Sequence, residues 1–306
     1  VAHLAAIPGA SVPLRTPPGA LIALAYLPFL LCLARRRLGI SRAAIVNSSL
    51  AMALFLVAGY ALADAAASAR LTLLHVRQGS AILIRTDAGR LWLLNAGSAD
   101  TANPMERAIA PALQSAGARR LDGLLLTALD EPHARDAAAV VTAFHPRAVL
   151  LPRAAWTDQN KTHAGITLTA ALARPAQNPT LLRNGAAIKL DEMQVIILSA
   201  APHAAALLLR SPGHSLLLMD PDALPMLDRL AAAPWFHPDA VILLSPDRGL
   251  RDSPLRARVS VPLLASGRTP WTPRIAAPGT RNTVNGYITV DLPRAAPAII
   301  TQPARE

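Results

Sequence analysis

From Arg70 onward, the apolar residues of this 306-residue chain come in short runs separated by turn residues. Runs of this length are typical of β-strands, whereas one intervening stretch, AIAPALQSAGARR, has a helical pattern. The strand-like runs are LTLLHV (71–76), SAILIRT (80–86), RLWLLNAG (90–97), LDGLLLTAL (121–129), AVLLP (148–152), AAIKL (186–190), MQVIILS (193–199), AALLLRS (205–211), HSLLLMD (214–220), AVILLS (240–245) and GYITVDL (286–292). This order predicts a strand-rich α/β domain over residues 70–295, with two packed sheets covered by helices, and a tail over 296–306.

The first 66 residues have a different pattern. Two apolar stretches without a charged residue, 17–34 and 43–63, are separated by a segment that contains Arg35, Arg36, Arg37 and Arg42. At about 1.5 Å per residue, such stretches approach or reach the thickness of a bilayer core, about 30 Å. They predict a membrane segment, 1–66, with two transmembrane helices, and a buried core hairpin is the alternative. The arginines place the intervening loop in the cytoplasm and the globular domain on the non-cytoplasmic side.

Composition excludes some classes and leaves one partner open. Lys and Arg number 30 against 19 Asp and Glu, a formal charge of +11, but only Lys161 and Lys189 are lysines. A GC-rich genome also raises the arginine content, so the charge alone does not assign a nucleic-acid partner. The single cysteine, Cys32, excludes an internal disulfide and a cysteine-based metal cluster. The chain has neither a GxSxG motif nor a P-loop, which argues against a serine hydrolase or a P-loop ATPase.

Five segments occur in a fixed order: LTLLHVRQGSAILIRTDAGRLWLLNAG, RRLDGLLLTALDEPHARDAAAV, HSLLLMDPD, AVILLSPDRG and TRNTVNGYITV. Over residues 71–292 this order resembles the carboxyl-terminal part of the ComEC family, the bacterial membrane proteins of natural DNA uptake. The resemblance implies a metallo-β-lactamase-like αββα sandwich preceded by two transmembrane helices in the inner (cell) membrane. In that family the sandwich is proposed to be a metal-dependent nuclease. Because the chain begins with Val1, we expect it to be the carboxyl-terminal piece of a longer protein.

The positions that carry metal ligands in the family are largely changed here. The family's L-D-V-G-Q-G-D-A is LHVRQGSA at 74–81, and its I-D-A-G is LNAG, with Asn95 in place of the acid. Its ligand loop T-H-P-D-A-D-H-x-G-G is TALDEPHARD at 127–136, and its S-H-H-G-S is SPDRG at 245–249, without a histidine. By resemblance, the surviving metal ligands are Asp130, His133 and Asp220.

Three surviving ligands are too few for a two-metal centre, which needs about three protein ligands for each ion. We therefore predict that metal binds weakly or not at all, with zinc or manganese as cofactor only if the site still functions, and we assign no catalytic residue. A substitute site is the alternative, built from His75, Glu131, Asp136 and Asp247. Asp130 and His133 also fit a simpler interpretation, in which the carboxylate caps a helix beside a neighbouring imidazole.

A segment rich in arginine and proline follows the last ligand position. Arginines interleaved with an aromatic residue can follow a phosphate backbone and stack on bases, whereas a solvated surface stretch is the alternative interpretation. The candidate DNA-binding residues are Arg248, Arg251, Arg256, Arg258, Arg268 and Trp271.

These observations predict the carboxyl-terminal part of a ComEC-like DNA-uptake protein whose hydrolytic centre is lost and whose domain is structural or guides DNA. Its partners would be DNA, single-stranded or an incoming duplex, the membrane, and other competence proteins. Three alternatives remain: a divergent metal-dependent phosphodiesterase or nuclease that acts on incoming DNA, a cap or assembly platform for a membrane channel, and a gene product without a selected role.

Overall fold

The computed structural model describes part of the chain, which divides into two compact units, Val1–Ala67 and Ser68–Glu306. The described residues are 26, 29–30, 32–33, 41–65, 69–74, 76, 78–99, 103–157, 160–174, 178–201, 204–223, 236, 238–244, 263–265, 286–292 and 298–303.

In the first unit, helix α1 spans Arg42–Ala65 and covers the apolar stretch predicted at 43–63. Several of its large apolar side chains are exposed, among them Leu50 and Leu54. Among the described residues, no helix combines the length and the apolar character that a membrane crossing requires. The predicted span at 17–34 lies mostly outside the described residues. The two transmembrane helices therefore stay a prediction.

The second unit contains fourteen strands within its described residues. In chain order they are β1 Ala69–Leu73, β2 Ile82–Arg85, β3 Leu91–Leu94, β4 Gly123–Leu125, β5 Ala148–Pro152, β6 Thr180–Leu182, β7 Ala187–Leu190, β8 Met193–Ala201, β9 Ala204–Ser211, β10 His214–Met219, β11 Ala240–Leu243, β12 Leu263–Ala265, β13 Gly286–Leu292 and β14 Ala298–Pro303. The helices are α2 Ala110–Ser115, which continues the π-helical turn Met105–Ile109, then α3 Glu131–Ala134, α4 Ala137–Phe144, α5 Arg153–Thr157 and α6 His163–Ala173.

The strands form two mixed sheets. The first has the order β14-β13-β1-β2-β3-β4-β5-β6, and the second has the order β12-β11-β10-β9-β8-β7. Strands β3 to β6 are parallel neighbours and are connected through helices, whereas β1, β2, β13 and β14 pair in antiparallel fashion. The carboxyl ends of β3, β4, β5 and β6 therefore share one edge of the first sheet.

Alternation along the strands of the first sheet divides its side chains between two cores. In β2, Ile82 and Ile84 belong to the core that also contains Val195 and Leu207 of the second sheet. Leu83 belongs instead to a core with residues of α2, α4 and α6, such as Leu113 and Leu168. This period of two residues produces the order helices, first sheet, second sheet. These are three of the four layers expected of an αββα sandwich, and the fourth is not defined by the described residues.

The sequence prediction located most strands and misplaced the end of the domain. Strands β5 and β13 have the predicted bounds, and β7 to β11 differ from theirs by a few residues at most. The prediction of a tail over 296–306 is wrong for Ala298–Pro303, which forms β14 and pairs with β13. The apolar segment Ala298–Ile300 can adopt this conformation because β13 offers it an unpaired edge.

Trp92 and Gly123 form a complementary pair on the parallel strands β3 and β4. A Cβ atom on Gly123 would lie 2.1 Å from the ring carbon Cζ3 of Trp92. Trp92 packs against the core between the sheets. The missing side chain at position 123 therefore makes room for the indole ring.

We expect Gly123→Ala to lower the free energy of unfolding by about 1–3 kcal/mol, because the added methyl group overlaps a packed ring. In a Trp92→Leu background the same substitution should cost much less, since the ring is gone. Urea unfolding of the wild type, both single variants and the double variant measures this coupling. An equal cost of Gly123→Ala in both backgrounds would contradict the steric explanation.

Candidate functional site

The three predicted ligands converge at the carboxyl ends of strands from both sheets. Asp130 and His133 lie in the segment that follows β4, and Asp220 directly follows β10 of the second sheet. His133 and Asp220 are buried, with 4% and 2% of their surfaces exposed. In open α/β sheets this strand end is where ligands bind, so the location is that of a functional site.

Asp130 is the N-cap of the short helix α3. Its carboxylate accepts a hydrogen bond from the backbone N–H of His133 at 3.2 Å, and its own backbone is extended. Pro132 lies in the first turn, where a missing N–H leaves no hydrogen bond unmade. The helix-cap interpretation of Asp130 is thus confirmed, and the cap holds the side chain of His133 next to the carboxylate.

The imidazole of His133 lies between two carboxylates. Its Nδ1 is hydrogen-bonded to Oδ1 of Asp130, and its Nε2 lies 2.7 Å from Oδ1 of Asp220. The other carboxylate oxygen of Asp220, Oδ2, accepts the backbone N–H of Ala205 at 2.8 Å. Because a carboxylate accepts hydrogen bonds, this position between two carboxylates favours the imidazolium form of His133, in which both ring nitrogens donate. We call Asp130, His133 and Asp220 the ion triplet.

Burial alone would lower the pKa of His133, because it disfavours the charged ring. The hydrogen bonds to Asp130 and Asp220, together with their negative charges, outweigh this effect and raise the pKa from 6.5 to about 10. The ring therefore carries a positive charge at neutral pH. A single proton on His133 thus offsets part of the negative charge of the buried Asp220 and the partly buried Asp130.

A second buried polar network occupies the neighbouring motif positions. The side-chain amide of Asn95 donates to the hydroxyl oxygens of Ser80 at 2.8 Å and Thr127 at 2.9 Å. Its carbonyl oxygen accepts the backbone N–H of Thr127 at 2.8 Å. All three residues are at most 1% exposed. The network satisfies the polar groups of the site without any ion.

The loops that carry these residues touch backbone to backbone. A Cβ atom on Gly97 would lie 2.5 Å from the carbonyl oxygen of Glu131, and one on Gly79 would lie 2.3 Å from that of Gly97. Backbone hydrogen bonds join the same loops, from Ala96 N–H to His133 O at 2.8 Å and from Ser80 N–H to Pro132 O at 3.0 Å. The two glycines allow the three loops to approach closely enough to position the ion triplet.

The ion triplet does not fit the metal centre that the resemblance implies. A metal ion needs a ring nitrogen whose lone pair points at it, whereas both ring nitrogens of His133 lie within hydrogen-bond distance of carboxylate oxygens. No group of three or more His, Cys, Asp or Glu residues in the described part of the chain is arranged to hold a metal ion. The same hydrogen bonds leave His133 no nitrogen with which to accept a proton from a nucleophile.

The structure places the alternative ligands elsewhere. Glu131 lies 3.6 Å from Arg135 on the same helical turn. Asp136 accepts the backbone N–H of Met105 at 3.0 Å, and burial raises the pKa of its carboxyl group. His75 and Asp247 lie outside the described residues. The same holds for all candidate DNA-binding residues: Arg248, Arg251, Arg256, Arg258, Arg268 and Trp271. The described members of the substitute site thus make contacts outside the ion triplet.

Sequence reasoning missed the polar network of Ser80, Asn95 and Thr127. The signal was present in the motifs, because two acidic positions of the family are occupied by the neutral residues Ser80 and Asn95. Two carboxylates at these buried positions would repel each other without a cation, whereas a hydroxyl and an amide can pair. Considered together, the exchanges at Ser80 and Asn95 indicate that these two side chains are hydrogen-bonded to each other. A comparison of one position at a time does not show this relation.

No known protein-family model matches the chain, and no curated protein matches it either. Several solved structures are similar over part of the chain. A HARLDQ-motif metallo-β-lactamase variant from Cronobacter sakazakii has a TM-score of 0.42 and 14% identity, covering 57% of this chain and 77% of its own.

Two further structures give similar values. For the metallo-β-lactamase fold protein YhfI from Bacillus subtilis the TM-score is 0.41 with 11% identity, and the match covers 65% of this chain and 98% of YhfI. For MEM-A1, a subclass B3 metallo-β-lactamase from a soil metagenome library, the TM-score is 0.40 with 16% identity, over 59% and 79% of the two chains. These values are too low to assign the chain to a family.

The raised pKa of His133 predicts a loss of stability toward alkaline pH. Folding takes up a proton wherever the folded pKa exceeds the unfolded one, so this stabilisation is complete below pH 6.5. It decreases from there and is lost as the pH rises through about 10. Urea unfolding at pH 6 to 10 should therefore show a free energy of unfolding that falls more steeply for the wild type than for His133→Gln. The exposed His145, replaced by Gln, is the control, and parallel pH profiles of wild type and His133→Gln would contradict the assignment.

Close packing of the loops predicts that Gly97→Ala destabilises the domain. The added methyl group would overlap backbone atoms of α3, which cannot rotate away, so we expect a cost of at least about 2 kcal/mol. Gly185→Ala is the matched control, because its Cβ would meet no atom within 4 Å and only the left-handed backbone adds about 1 kcal/mol. Thermal unfolding compares the two variants. Equal effects would mean that the loops can separate at Gly97 without cost.

Proposed function

We propose that the second unit is a non-hydrolytic metallo-β-lactamase-like module of a ComEC-like DNA-uptake protein, with a structural or DNA-guiding role. The observation that carries the proposal is the engagement of both ring nitrogens of His133 by carboxylates. A hydrolase of this plan needs that imidazole as a metal ligand, and here it is held as a cation instead.

The residues around the ion triplet support the same conclusion. Ala128 and Pro132 stand where the family has a ligand histidine and a ligand aspartate, and Ala128 is completely buried. Arg135 stands at a glycine position of the motif and contacts the backbone oxygen of Ser98 at 3.4 Å.

The wider assignment depends on the sequence. The motif order over residues 71–292 supports a part in DNA uptake, and the net charge of +11 is compatible with a polyanionic partner. The apolar stretches in residues 1–66 and the arginines between them support attachment to the inner membrane with the module on the non-cytoplasmic side. Contacts with other competence proteins follow from the same hypothesis.

The alternative function is a divergent metal-dependent phosphodiesterase that acts on incoming DNA. One observation favours it: the three residues that the resemblance identifies as ligands do converge at one strand end. For this function, a metal ion would have to displace the proton of His133 and separate the ring from at least one carboxylate. Metal binding would then release a proton and depend on pH.

Metal content distinguishes the two functions. The purified full chain, without an affinity tag, is equilibrated with zinc or manganese, freed of unbound metal and measured by mass spectrometry. We expect far less than one metal ion per chain, and the same background for the Asp130→Ala/His133→Ala variant. The melting temperature of the wild type should also be unchanged by zinc, manganese or a chelator, a comparison that does not depend on whether the variant folds.

The opposite result would be a metal ion in near-stoichiometric amount that the double variant lacks, together with a melting temperature that a chelator lowers. That outcome would overturn the non-hydrolytic function and support the phosphodiesterase. Cleavage of single-stranded and duplex DNA by the wild type, abolished by Asp130→Ala, would have the same consequence.

A further inference from the structure

Arginines collect at the edge of the first sheet that lies opposite the ion triplet. Arg119 and Arg120 precede β4, Arg147 precedes β5, and Arg174 follows α6 on the way to β6. Because these strands are parallel neighbours, their amino ends share one edge. All four side chains are exposed. We call these four arginines the basic edge.

The loops of the basic edge are held together by their own hydrogen bonds. Nε of Arg120 donates to the carbonyl oxygen of His145 at 2.8 Å, and the backbone N–H of Arg147 donates to the carbonyl oxygen of Leu121 at 3.1 Å. Asp122 accepts the backbone N–H of Leu91 at 3.0 Å. The loops that carry Arg120 and Arg147 are therefore fixed relative to each other, and binding a ligand there would order few additional residues.

The basic edge has an excess of positive charge. Within the described loops of the basic edge, Asp122 is the acidic residue. Four arginines and one aspartate therefore give these loops a net charge of +3. Asp122 lies 3.6 Å from Arg147, whose side chain is 67% exposed. An exposed pair at this distance contributes little and leaves the guanidinium available. The edge at the ion triplet differs, because Glu131, Asp136 and Asp222 lie there beside Arg135 and Arg153.

We infer that the basic edge binds the phosphate backbone of a nucleic acid, so that the strand contacts the module opposite its former metal centre. This inference rests on the DNA-guiding role proposed above and assigns the surface for it. Strands lie about 4.8 Å apart, so the row from β4 to β6 is about 10 Å long. Phosphates of one DNA strand follow each other at about 3.4 Å along the axis, so the row matches about three of them.

The shape and composition of the edge favour a nucleic acid over a lipid surface. The large apolar residues of the same loops, Leu121 and Phe144, are buried, with 0% and 6% exposed. Interfacial binding to a membrane depends on apolar side chains that enter the headgroup region. A linear row of guanidinium groups can instead form paired hydrogen bonds to successive phosphates.

The test compares two triple variants of the full chain that have equal net charge. The edge variant is Arg119→Gln/Arg147→Gln/Arg174→Gln, and it keeps Arg120, whose side chain joins two loops. The control variant is Arg107→Gln/Arg153→Gln/Arg183→Gln, which removes three exposed arginines elsewhere in the same unit. Binding of fluorescent single-stranded and duplex 30-mers of mixed sequence is measured by anisotropy over a series of salt concentrations, after thermal unfolding has shown that both variants are folded.

We expect the edge variant to bind DNA about tenfold more weakly than the control variant at 0.1 M salt, with a salt dependence smaller by two to three phosphate contacts. Equal DNA affinities of the two variants would show that the basic edge does not bind DNA, but would leave the DNA-guiding function standing. If the wild type bound neither single-stranded nor duplex DNA, the proposed DNA-guiding function would be wrong as well. If the edge variant lost binding to vesicles containing phosphatidylserine but kept its affinity for DNA, the edge would be a lipid site and the inference would be wrong.

Discussion

A buried carboxylate needs a neighbouring positive charge, and in this protein the imidazole of His133 offers one to Asp220 and to the partly buried Asp130. Asp130 belongs to the segment after β4 of the first sheet and Asp220 to the end of β10 of the second, so the imidazolium also joins the two sheets. Removing one partner of such a buried ion pair leaves the charge of the other without its counter-ion, which is costly. The ion triplet therefore links the segment after β4 to the end of β10.

The neighbouring residues follow from the same constraint. Where a metal centre could neutralise further acids, the ion triplet cannot, and the positions next to it hold the neutral residues Ser80 and Asn95. The glycines that allow the loops to meet, Gly79 and Gly97, are retained because their contacts are between backbone atoms and need no ion. The close approach of the loops thus does not itself require an ion.

Much of the fold follows from local pattern. A short apolar run bounded by turn residues located β5, because a strand that is buried on both faces needs apolar residues at nearly every position, whatever its neighbours are. The assignment of β14 to a tail failed for the opposite reason: an edge strand is stabilised by the partner it pairs with, and that partner is distant from any signal within the segment. The helix cap at Asp130 was predictable because a cap involves only residues a few positions apart.

The candidate site, like the fold, has some features that follow from the sequence and others that only the tertiary structure shows. The sequence by itself determined which residue types stand at these positions, and its resemblance to a family predicts Asp130, His133 and Asp220 as surviving ligands and Ser80 and Asn95 as replaced acids. Only the tertiary structure decided that both nitrogens of His133 face carboxylates, since Asp220 is 87 residues away and reaches the ring only when the two sheets pack together. The charge state of a buried imidazole is set by such neighbours in space, and a linear pattern of residues does not contain their distances.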